Sequence, residues 1–115
     1  MNVKKFYSDI NGNYNAAIAI MMNDSLIERM INKFMENNAY NAIVEAYQNK
    51  DIKAVFSLAH TFKGVTGNLA LTPLFEIACT LTEATRNNPD ANINQEIVEL
   101  KKVYSSVEEA YKNNQ

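Results

Sequence analysis

Residues 51–73 read DIKAVFSLAHTFKGVTGNLALTP, and this stretch decides the fold. Asp51 is a capping residue by type. After it, Ile52, Val55, Ala59, Phe62 and Leu69 fall within one sector when each residue advances ~100° around a helix axis. A half-buried strand would alternate apolar with polar residues, whereas here the apolar positions recur at steps of three and four. The spacing predicts a long helix to about Leu69. Thr72 and Pro73 then open the next helix, because a threonine cap satisfies an orphaned backbone donor and proline at the first helical position removes another.

The same spacing continues outward on both sides. Downstream, Leu74, Ile77, Ala78 and Leu81 form an inward face until Arg86-Asn87-Asn88-Pro89 stops the helix. Asn92 is placed to cap a last helix carrying Ile93, Ile97, Leu100, Tyr104, Val107 and Tyr111. Upstream, Ala39 to Asn49 forms a segment with Ile43, Val44, Ala46 and Tyr47. Before it, Ser25 and Glu28 have capping-box spacing ahead of a stripe of Leu26, Ile27, Met30, Ile31, Phe34 and Met35 that ends at Asn37-Asn38. A short helix is expected from Asn15 to Met22, behind a polar N-terminal lead over residues 1–14. The expected fold is all-α: an antiparallel four-helix bundle over residues 15–115, with short additional N-terminal helices.

A chain of 115 residues fits a single domain with a real core, and 47% hydrophobic against 21% charged residues is ordinary globular composition. Its eleven Lys and Arg are scattered among thirteen acids, leaving a net charge of -2 and no basic face, so nucleic acid is not an expected partner. No apolar run approaches the ~20 residues of a membrane span and no secretory signal opens the chain, which sets the expectation of a cytoplasmic protein without membrane attachment. The single cysteine, Cys79, reads as a small core residue, and one cysteine with one histidine makes no metal site.

That one histidine, His60, lies roughly 150° from the centre of the apolar sector of its helix and so faces outward. Lys53, Ser57, Gly64 and Gly67 share its sector. Two of the three glycines of the chain thus sit in one helix interior, where each costs ~1 kcal/mol relative to alanine. Gly64 stands one turn beyond His60, leaving the ring open to an approaching partner, and Gly67 extends the same clearing. Lys63, three residues after His60, can bring an ammonium toward a charged group on the ring. A neutral imidazole offers one free lone pair, and the nitrogen bearing the proton is best served by a fixed acceptor.

The run A-H-T-F-K-G-V-T-G-N-L-A-L resembles the histidine-containing phosphotransfer (HPt) domain of bacterial two-component phosphorelays. The resemblance implies a four-helix bundle with a phosphorylated histidine at mid-helix. His60 is then the phosphoacceptor, Lys63 stabilises the phosphoryl group and Gly64 gives access. It also implies a small-residue position at Gly67, an acceptor for the ring at Thr82, where the family often has glutamine or glutamate, and an arginine role at Arg86. Glu83 is the neighbour that could replace Thr82 if the helix were rotated. The segment AIAIMMND would cross the bundle end, making Ile18, Met21 and Met22 candidates for an apolar docking surface; plain core packing is their other reading.

On this resemblance, His60 relays a phosphoryl group between aspartates of response-regulator receiver domains. A hybrid histidine kinase is a further possible partner. The receiver would supply Mg2+, and the chain would need no cofactor of its own: it has no G-x-x-x-x-G-K-[ST] loop and no compact acidic cluster. A monomer is expected. Two other readings remain: a helical module that docks a receiver or kinase without relaying phosphate, and a hydrolase built on His60 and Ser57, for which no orienting carboxylate is placed.

Overall fold

The computed structural model describes residues 1–115 and contains seven helices: α1 Val3–Asp9, α2 Tyr14–Met21, α3 Asp24–Glu36, α4 Ala39–Gln48, α5 Ile52–Asn68, α6 Thr72–Thr85 and α7 Asn94–Asn113. Asparagine and aspartate start most of them. Asn2, Asn13, Asn23 and Asp51 accept hydrogen bonds from the amides of Lys5, Ala16, Leu26 and Ala54. Each satisfies a first-turn donor that has no partner within its helix. Three of the asparagines in this asparagine-rich chain thus serve as helix starts.

Two expected caps are displaced. Asn23, in an extended conformation, takes the capping role assigned to Ser25, which lies inside α3. Thr72 is the first residue of α6, and its hydroxyl donates to the carbonyl of Ala70 at 3.4 Å instead of accepting from the helix. Asn92 does accept from Asn94 N, at 3.2 Å.

Four struts make the bundle. Three cross-links fix the relation of α3 and α4 to α7: Tyr111 donates to Asn32 at 2.6 Å, Tyr40 stacks on Tyr104 at 3.9 Å between ring centres, and Tyr47 donates to Asn94 at 2.5 Å. Numbers rise along α3 and α4 while they fall along α7. The two shorter helices therefore form one strut, interrupted at Asn37-Asn38 and antiparallel to α7. The turns Asn49–Asp51 and Leu69–Leu71 send α5 and α6 down and back, completing the up-and-down arrangement that the periodicity predicts. Ile27, Ile31, Ile43, Val55, Leu74, Leu81 and Leu100 are fully buried between the struts. Each such side chain contributes about 1.5–3 kcal/mol by leaving water.

The turn between α5 and α6 closes with a double hydrogen-bond motif. Ala70 N donates to Gly67 O and Leu71 N to Thr66 O, with Ala70 in the left-handed region at φ 53°. The polar lead expected over residues 1–14 is where the structure departs most from the sequence reading, because it contains α1. Phe6 and Tyr7 are buried, Asn2 N donates to Asn114 O, and the Asn114 side chain donates to Asp9. Seven residues are too few to hold a helix by propensity alone, so packing on the bundle end maintains it. Tyr7 donates to Leu69 O at 2.7 Å and Asn13 N to Ala70 O at 3.0 Å, joining this cap to the α5–α6 turn. A Cβ at Gly12 would lie 2.8 Å from the Tyr7 ring and 3.0 Å from Ala70 O, so the close approach requires glycine there.

Candidate functional site

The inward residues of α5, Val55, Ala59, Phe62 and Thr66, are buried and fix the rotation of the helix. His60 is exposed at mid-helix as a result. Its ring makes no hydrogen bond to the protein, and a Cβ built at Gly64, one turn on, would meet nothing within 4 Å. Both ring nitrogens are thus free of protein partners, with open space on the C-terminal side of the ring.

On its N-terminal side stands Phe56, with ring centres 6.0 Å apart and the planes 24° from parallel. The guanidinium carbon of Arg86, just past the end of α6, lies 5.2 Å from the centre of the Phe56 ring. Arg86 also donates to Glu83 Oε1 at 3.1 Å. The hydrogen bond and charge of Arg86, with a smaller contribution from the Lys63 ammonium, hold the Glu83 carboxyl below the usual carboxylate range. Lys63 is half-buried one turn from His60, so an imidazole and two cations gather across the exposed edge of α5 and α6.

Residues 23–110 match the family model of the Hpt domain. The chain belongs to the Hpt domain family. Hpt domains are phosphocarrier modules of two-component signalling that interact with receiver domains and histidine kinases. No individual curated protein and no solved structure matches the chain. No helix of this Hpt domain is long and apolar enough to cross a membrane.

Two residues assigned to the site by the sequence lie elsewhere in the Hpt domain. Thr82 is completely buried and donates to the carbonyl of Ala78 at 2.7 Å, one turn back in α6. It does not reach the exposed His60 ring, and the neighbouring Glu83 is engaged by Arg86 instead. Gly67 does not extend the clearing at Gly64. A Cβ there would lie 3.0 Å from two carbons of the Phe75 ring, so its bareness serves the packing of α6 on α5.

An apolar cleft of about 370 Å³ runs along the other flank of α5. Met21, Met30, Phe34, Phe62, Val65 and Leu69 line it, and Thr61 and Val65 directly follow His60 and Gly64 in the chain. Of the docking candidates, Met21 faces this cleft, Ile18 packs partly buried against the core, and Met22 is 78% exposed in the left-handed region that ends α2. Ile20, 58% exposed, was outside the sequence expectation, as was Phe56. The signal for Phe56 was present: a ring four residues before His60 shares its helix face. Cys79 is only partly buried.

Proposed function

We propose that this Hpt domain relays a phosphoryl group through His60 between aspartates of two response-regulator receivers. The observation that carries the reading is the exposed, unpartnered imidazole at mid-helix beside the open space at Gly64, within the matched family segment. In the first transfer, the free lone pair of one ring nitrogen forms a bond to phosphorus. The phosphorus–oxygen bond to the donor aspartate breaks, its electron pair leaves with the carboxylate, and the other ring nitrogen keeps its proton. The second transfer is the reverse step onto another receiver.

Such a reaction depends on positioning and on neutralising charge at the phosphoryl oxygens. Lys63 supplies a cation on this side. Mg2+ at the phosphoryl oxygens would come from the receiver. The docking face comprises the open strip over His60 and Gly64 and the cleft beside it. Methionines such as Met21 and Met30 adapt to varied apolar partners.

The test mixes the purified protein and Mg2+ with radiolabelled, aspartate-phosphorylated receivers, using phosphoramidate as a direct donor and His60→Gln alongside. Acid-labile, base-stable label on the wild type alone is the expected result. Receiver binding with no label from either donor would replace the relay reading with that of a docking module.

A further inference from the structure

We infer that Phe56 is the positioning residue for the His60 imidazole, acting by ring stacking in place of a hydrogen-bond acceptor. On the proposed phosphoryl-carrier reading, the attacking lone pair must point at an incoming phosphorus. An exposed ring with no contact would reorient about its side-chain bonds in picoseconds to nanoseconds. Hydrogen-bonded restraint is absent here: the Thr82 hydroxyl is buried and turned to Ala78 O, and the Glu83 carboxylate is taken by Arg86.

Phe56 supplies the restraint instead. Helical side chains lean toward the N-terminus, so His60 covers the turn that begins at Phe56. The ring separation of 6.0 Å at 24° falls within the offset-stacked range. Phe56 is held in turn. It is partly buried, and the Arg86 guanidinium, which also pairs with the exposed Glu83 carboxylate at 3.1 Å, lies 5.2 Å from its ring centre. Phe56 thus lies between the Arg86 guanidinium on one side and the His60 ring on the other. Stacking limits the plane of the imidazole while occupying neither nitrogen. With Phe56 on one side and bare Gly64 on the other, the open approach is from the Gly64 side.

The experiment compares wild type, Phe56→Leu and Phe56→Tyr in two measurements. Single-turnover transfer from an aspartate-phosphorylated receiver separates the saturating rate from the half-saturating concentration, and NMR relaxation of the His60 ring carbons reports its order without phosphate. Phe56→Leu is expected to lower the saturating rate roughly five- to tenfold, with half-saturation unchanged and the ring newly mobile; Phe56→Tyr restores both. A ring as ordered in Phe56→Leu as in wild type overturns the inference, and so does a loss confined to half-saturation, which would make Phe56 a docking contact. If wild type takes label from no donor, the relay reading fails while the relaxation comparison still decides whether Phe56 holds the ring.

Discussion

The Phe75 ring lies where a side chain at Gly67 would begin: two of its carbons are 3.0 Å from the Cβ position. Gly64, three residues earlier on the same helix, faces open space. The two glycines thus stand in different surroundings: one admits a neighbouring helix, and the other borders solvent.

Gly67→Ala is expected to lose about 1 kcal/mol of stability, because displacing Phe75 costs more than the ~1 kcal/mol of helix propensity gained. Urea denaturation of Gly67→Ala in wild-type and Phe75→Ala backgrounds checks this. The loss should disappear when the ring is absent, and its persistence would show that Phe75 is not the obstacle.

Gly64→Gln should fold normally and gain up to about 1 kcal/mol, since nothing obstructs the new side chain and glycine is the poorer helix former. Phosphoryl transfer from a receiver should fall at least tenfold if access is the role of Gly64, by analogy with the cost of a misplaced reactant. A stabilised variant transferring at the wild-type rate would remove that role.

Thr82→Val removes a hydroxyl that is spent within α6. Stability should change by less than about 1 kcal/mol, and the transfer rate should match wild type. A large kinetic defect in a normally melting variant would mean that Thr82 acts on His60 after all.

Alkaline stability should depend on Tyr7. Burial pushes its phenol far above the ordinary value of 10.0, and the protonated hydroxyl donates to Leu69 O at 2.7 Å. The folded state thus keeps a proton that the unfolded chain releases near pH ~10, so stability is full below that pH and declines as pH rises above it. Tyr7→Phe should cost about 1 kcal/mol at neutral pH and flatten the decline. Tyr104, also raised by burial, leaves a residual slope. Thermal melts from pH 7 to 11 measure both effects, and an unchanged alkaline slope in Tyr7→Phe would contradict the assignment.

Helix existence, the inward faces and the outward direction of His60 were legible because each depends on periodicity along one helix. The apolar sector of Ile52, Val55, Ala59 and Phe62 fixes which side of α5 turns to the core, whatever packs there. Capping residues were legible by type but less so by position. Asn23 rather than Ser25 starts α3, since several polar residues at a helix end can serve and the chain path chooses among them.

Only the tertiary structure could separate Gly64 from Gly67, or bury Thr82 while leaving Glu83 exposed. An angle about one axis states that a residue points away from that helix's own core face. It does not state whether a neighbouring helix crosses there. Helix α1 was hidden for the same reason: its seven residues have too short a pattern to register, and it is stable because Phe6 and Tyr7 find a surface built from distant parts of the chain. The sequence by itself determined the helices from α2 onward and the outward-facing histidine. The packing of α6 against α5 decided what surrounds that histidine, because those contacts join residues whose spacing in the chain carries no shared period.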